Sequence, residues 1–137
     1  MADRHTPAQR SGNMARIRAK HTLPEVRVRR AAHALGYRFR LHRRDLPGTP
    51  DLVFPKHCLA MFVHGCFWHQ HSGCRRAVLP LTRREYWLPK LARNQERDHV
   101  ARKALEAAGW RVSELWECEL HSDAEARASV EAAFAHV

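Results

Sequence analysis

Long apolar runs are missing from this sequence. The longest, LAMFV at residues 59–63, falls far short of the roughly 20 residues a membrane-crossing helix needs. The polar start MADRHTPAQR also lacks the apolar stretch of a secretion signal, so a soluble, cytoplasmic protein is expected. Carboxylates are the second scarcity: 14 Asp and Glu stand against 24 Lys and Arg, a formal charge of +10. The deficit is concentrated, because residues 1–50 hold twelve basic residues and only Asp3, Glu25 and Asp45, net +9, leaving +1 for the rest. Such a lobe disfavours a cationic partner and suits a polyphosphate; the plainer reading is a basic face that keeps the protein in solution. Cysteine is sparse too, with Cys58, Cys66, Cys74 and Cys118 in a chain without a secretion signal. Disulfides are therefore not expected, and metal binding is the better use for a subset.

What remains suffices for one domain over residues 1–137, since 45% hydrophobic content can build a core without covalent staples. Residues 1–12 read as a flexible basic arm, and NMARIRAK at 13–20 as a short helix. Thr22 and Glu25 have capping-box spacing, Val28, Ala31, Ala32 and Leu35 recur at helical intervals, and Gly36 supplies a stop. YRFRL at 37–41, LVF at 52–54 and CLAMFV at 58–63 predict an antiparallel meander in which Cys58 is a buried hydrophobe. Thr82 with Glu85 predicts the start of a long helix to about Ala108, which Pro89 must bend or restart. WRVSELW at 110–116 reads as a strand, and Ser122 with Glu125 opens a last helix. There is no internal repeat or low-complexity segment. The order suggests an α/β fold, a mixed sheet with helices on both faces.

The stretch HGCFWHQHSGC, residues 64–74, is the densest in chemistry. His71 and Cys74 have a zinc-ligand spacing, Cys66 lies just upstream, and Cys118 follows the 110–116 strand. Together they make a Cys3His set for a closed structural zinc site; the competing reading leaves Cys118 an ordinary buried thiol. His64 and His69 are then left over for another task.

A carboxylate inside a basic lobe repels phosphate unless it holds a metal or a proton. Asp51, in PGTPDLVF, follows a turn and opens a strand. It can hold Mg2+ for phosphate chemistry with a histidine taking the proton, or simply cap the turn, as Glu25 can simply complete its capping box.

RSGNMARIRAKHTLPE, LHRRDLPGTPDLVF, FVHGCFWHQHSGC, EYWLPKLARNQERD and GWRVSELWEC, in that order, resemble the very-short-patch-repair (Vsr) mismatch endonucleases over about residues 9–120. The resemblance implies a variant of the restriction-endonuclease-like PD-(D/E)XK fold with an embedded structural zinc site. It implies a Mg2+-dependent nuclease that nicks the T-containing strand of double-stranded DNA, 5′ of a T:G mismatch left by deamination of 5-methylcytosine. A monomer in the bacterial cytoplasm, associated with the nucleoid and linked to a cytosine-5 DNA methyltransferase and downstream repair proteins, is implied as well.

Carried across by position, Asp51 matches the Mg2+-binding aspartate and Val63 the residue lending a backbone carbonyl. His69 matches the general base, Asp98 the carboxylate that orients it, and Glu25 and His64 the groups that hold water or phosphate at the metal. Cys66, His71, Cys74 and Cys118 match the zinc ligands. Phe67, Trp68 and Trp87 match an aromatic wedge, Met14 a minor-groove probe, and Lys90 and Asn94 contacts to the mispaired bases. Two departures stand out: one extra residue between His71 and Cys74, and Pro89 beside Lys90. The rival readings are a zinc-stabilised DNA-binding module without catalysis and a restriction-type nuclease without mismatch specificity.

Overall fold

The structure, a computed structural model, describes residues 22–135. The expected arm, the 13–20 helix and Met14 lie outside that range. Helix α1, Leu23–Ala34, begins where Thr22 Oγ accepts the Glu25 N–H at 3.3 Å, with Pro24 in the first turn. It buries Val28, Ala31 and Ala32, and Gly36 follows at φ +90°. A residue there must tolerate the left-handed region, which is what glycine does without strain.

Strands β1 (Arg40–Leu41), β2 (Leu52–Phe54) and β3 (Leu59–His64) form the expected antiparallel meander. β1 is shorter than the predicted 37–41. Its register, Arg40 with Val53 and Leu41 with Leu52, runs toward Pro55, which opens a short 3-10 turn and has no N–H to continue a ladder. Tyr37 and Phe39 still turn inward, Tyr37 stacked on Phe134 at 3.7 Å and Phe39 edge-on to Phe54 at 5.8 Å. Cys58 corrects the reading of a buried hydrophobe: it is exposed, ends the 3-10 turn at φ +49°, and β3 starts one residue later.

Helix α2, Arg84–Ala107, starts later than the Thr82 signal predicts. Arg83, at φ +56° and with no side-chain cap bond, separates Thr82 from the first turn. Pro89 neither ends nor restarts the helix; it stands in the second turn, where it forgoes the i→i−4 bond to Glu85 and the helix runs on to Ala107. Strand β4, Arg111–Trp116, pairs parallel to β3, completing the order β1-β2-β3-β4. Helix α3, Asp123–Ala135, is capped as read: Ser122 Oγ accepts the Glu125 N–H at 3.1 Å and Glu125 Oε1 accepts the His121 N–H at 2.7 Å.

Side chains alternate across a strand, and both faces of this mixed sheet are covered. Leu52, Phe54, Leu59, Met61 and Leu115 pack with Val28, Ala32, Val130 and Phe134 of α1 and α3. Val53 and Ala60 are buried on the opposite face, toward α2 with its buried Leu91, Ala101 and Leu105. Gly48, at φ +74°, lies so close that an added Cβ would sit 2.7 Å from Ala101 Cβ and 3.2 Å from the Phe62 ring. Among the described residues, no helix is long and apolar enough to cross a membrane.

The topology gathers chemistry at one end of the sheet. The parallel register pairs His64 with Trp116, so the chain leaves β3 and β4 at the same edge. Because β2 runs antiparallel to β3, its first residues meet that edge too.

Candidate active site

Asp51 directly precedes β2, and its Oδ2 accepts the Val63 N–H at 2.8 Å. Val63 thus meets Asp51 through its amide. Glu25, buried on α1, accepts from His42 Nε2 at 3.1 Å and from the Arg29 guanidinium, while His42 Nε2 lies 3.8 Å from Asp51 Oδ1. One ligand atom from each of Glu25, His42 and Asp51 can be chosen so that all lie within 4.8 Å of one another. Ligands about 2.1 Å from one ion sit about 3.0 Å apart when adjacent and about 4.2 Å when opposed, so the three residues fit one divalent cation. Burial, then the nearby Glu25 carboxylate, pushes the Asp51 carboxyl up to about 8 against the Val63 amide's opposing pull. Burial also works to raise Glu25, but the His42 hydrogen bond and the Arg29 charge outweigh it and leave its carboxyl below the usual range. A cation between the two carboxylates would relieve their repulsion. Glu25 therefore does more than cap: its backbone N–H serves Thr22 while its carboxylate joins this cluster.

His42 was invisible in the sequence reading. The register pairing Leu41 with Leu52 carries on to His42 and Asp51, whose backbones share a 3.1 Å hydrogen bond. A hairpin register drawn through PGTP was the signal that could have found it.

On the other side of the end of β3, His69 Nδ1 donates to Asp98 Oδ2 of α2 at 2.6 Å. That separation is shorter than two ligands of one ion adopt, so a proton is shared and His69 Nε2 is left as the basic atom. The buried His64 ring stacks on His69 at 3.9 Å. Burial and the neighbouring His69 pull His64 down to about 3, so its imidazole is neutral throughout the physiological range.

The thiols converge as the parallel strands dictate. Ligand atoms of Cys66, His71, Cys74 and Cys118 all lie within 4.8 Å of one another. Zn–S bonds near 2.3 Å and Zn–N bonds near 2.0 Å place S and N about 3.6 Å apart on a tetrahedral edge. His71 Nδ1 lies 3.7 Å from Cys66 Sγ and 3.4 Å from Cys118 Sγ, which fits. Burial and the adjoining thiols push Cys66 up to about 12 and burial raises Cys118, whereas the backbone amide of Arg76 lowers Cys74. Such a group of thiols ionises together only around a cation. Two supports escaped the sequence reading: Trp116 stacks flat on His71 at 4.1 Å and 5°, and Glu117 Oε1 accepts the Cys66 N–H at 3.0 Å.

The loop and α2 together present aromatic rings. Phe67, Trp68 and Trp87 pack on one another with centroids 5.3–5.7 Å apart, all half-buried. Tyr86 adds a fourth ring against Trp87 at 5.0 Å. Lys90 Nζ lies over Trp68 at 5.4 Å and donates to Tyr86 OH at 3.4 Å. Asn94 Nδ2 donates to the Trp68 carbonyl at 3.2 Å, tying α2 to the loop.

Comparison with known proteins gives the family. A family model described as DNA mismatch endonuclease Vsr matches residues 2–76. The type II nicking enzyme V.XorIIP of Xanthomonas oryzae pv. oryzae is 55% identical over 120 residues, 88% of each chain. The type II nicking enzyme V.NmeAIP of Neisseria meningitidis is 40% identical over 124 residues, 90% of this chain and 88% of that one. The DNA mismatch endonuclease Vsr of Escherichia coli K12 is 42% identical over 120 residues, 88% of this chain and 76% of its own. With the family's pattern spread through strand, loop and helix alike, the chain belongs to the Vsr family of DNA mismatch endonucleases.

Proposed function

We propose that this protein nicks the thymine-containing strand of duplex DNA 5′ of a T:G mismatch, using a divalent cation at Asp51 and a structural zinc at Cys66, His71, Cys74 and Cys118. The observation that carries the reading is the convergence of two carboxylates with an imidazole, a carboxylate-bound histidine and a Cys3His set at one end of the sheet. A variant of the PD-(D/E)XK fold is the frame it fits. Such mismatches arise from 5-methylcytosine, so the enzyme would act alongside a cytosine-5 methyltransferase and repair proteins, as a monomer.

Mg2+ bound by Asp51, with Glu25 beside it and the Val63 carbonyl as a further ligand, would polarise the scissile phosphate. His69 takes the proton of the attacking water at Nε2, while Asp98 holds Nδ1 and stabilises the imidazolium that forms. His64, kept neutral, stacks on that ring without repelling it and can donate to phosphate. One P–O bond forms to the water oxygen and one P–O bond to the sugar breaks. The zinc set braces residues 66–74, which place His69 and the Phe67–Trp68 pair on the same short loop.

Opening a base step costs a few kcal/mol, least at a mispair, so a wedge of Phe67, Trp68 and Trp87 favours mismatched DNA before any base is read. Lys90 and Asn94, beside the wedge, would contact the exposed edges. The basic half, with net +9 over residues 1–50, supplies phosphate attraction.

The test is a nicking assay on end-labelled T:G duplexes and matched controls. Cutting of the T strand alone, lost in Asp51→Ala and His69→Ala with DNA binding retained, is expected. Equal cutting of matched DNA would indicate a nuclease without mismatch specificity, and binding without any cutting a DNA-binding module.

A further inference from the structure

Resting on the reading of Glu25 and Asp51 as a metal centre, we propose that His42 is a direct ligand of that centre, and that its imidazole makes the site prefer Mn2+ to Mg2+. Three separate segments supply the donors: Glu25 from α1, His42 from the end of β1, and Asp51 from the start of β2. The separations of Nε2 from Glu25 Oε1 and Asp51 Oδ1, 3.1 and 3.8 Å, fall in the range of adjacent to near-opposed ligands around one ion.

The placement is held by the backbone. His42 N–H donates to the Asp51 carbonyl, and the residue adopts φ +47°, a conformation uncommon outside glycine. Without metal, Nε2–H donates to Glu25. On loading, the proton leaves Nε2 or moves to Nδ1, and the freed lone pair faces the ion between the two carboxylates.

Donor type then sets metal choice. Mg2+ is hard, holds its water and favours oxygen ligands, whereas imidazole suits ions further along the first-row series. An N,O,O set should bind Mn2+ more tightly than Mg2+, and removing the nitrogen should narrow the difference. The His64–His69–Asp98 cluster could also offer nitrogen to an ion, so the test must separate the two.

The experiment uses the full-length, zinc-containing protein without DNA. Mn2+ binding is followed by loss of the free-ion paramagnetic resonance signal, Mg2+ by competition, and directly bound nitrogen by pulsed resonance of the Mn2+ complex. Wild type is expected to bind Mn2+ at least about tenfold more tightly than Mg2+ and to show nitrogen coupling. In His42→Gln, with an unchanged circular dichroism spectrum, the coupling should vanish and the preference fall by about tenfold. The same coupling in His42→Gln, or an unchanged ratio of Mn2+ to Mg2+ affinity, overturns the assignment while leaving the metal centre intact. Undiminished Mn2+ binding in Asp51→Asn overturns both this proposal and the metal-centre reading beneath it.

Discussion

Replacing Asp51 by Asn should abolish nicking and yet stabilise the protein when no divalent cation is bound at that centre. Its carboxyl moves from the ordinary 3.8 to about 8 on folding, so the folded state holds a proton that the unfolded chain releases near pH 4. A raised carboxyl pKa contributes stability below the unfolded value and loses it as pH rises toward about 8. The displacement spans about four decades of proton equilibrium at about 1.4 kcal/mol each, an upper bound near 6 kcal/mol. The side chain is 17% exposed, and solvent screening brings the expected effect to about 2 kcal/mol, or about 7 °C in Tm. Asn keeps the shape and cannot ionise. Urea and thermal unfolding of wild type and Asp51→Asn at pH 5 and pH 8.5, zinc retained, should therefore show the variant gaining about 2 kcal/mol on wild type between the two values. Millimolar Mn2+ or Mg2+ should restore wild type at pH 8.5 and leave the variant unmoved. A difference between the proteins that does not change with pH would refute the crowded-carboxylate account.

Cys118→Ser should lower zinc from near one equivalent per chain and cost several kcal/mol of stability, by elemental analysis and thermal melts; full zinc content in the variant would remove Cys118 from the ligand set. Asp98→Asn should lower kcat by about 10²- to 10⁴-fold with DNA affinity retained, because the amide can no longer hold His69 in its basic tautomer; unaltered kcat in single-turnover nicking would contradict the dyad. Trp68→Ala should weaken binding to a T:G duplex by about 1–3 kcal/mol and leave matched DNA nearly unaffected. Equal losses on both duplexes in a fluorescence titration would make the ring a general contact rather than a wedge.

Much of this was readable in the residues, and the limits have physical causes. Thr22, Glu25 and Gly36 mark α1 through local hydrogen bonding and φ, which short stretches encode well. The Cys3His set could be named from ligand chemistry, but only the parallel pairing of β3 and β4 explains how Cys118 reaches Cys66. Thr82 and Cys58 misled because a single left-handed residue, Arg83 in one case and Cys58 itself in the other, displaces the start of the next element. The rings of Phe67, Trp68 and Trp87 would pass for core by composition; their half-exposure is a property of the loop and α2 together. His42 depends on the register of a two-residue strand, which no periodicity could reveal.

The pairing of β3, Leu59–His64, with β4, Arg111–Trp116, also sets an order of events during synthesis. A nascent chain displays its arginine-rich half, Asp51 and His69 long before it contains Cys118 and the strand that completes the edge. By the proposed scheme the hydrolytic loop gains its last brace only after most of the polypeptide has been made. A growing chain can therefore attract DNA well before it is able to cut it.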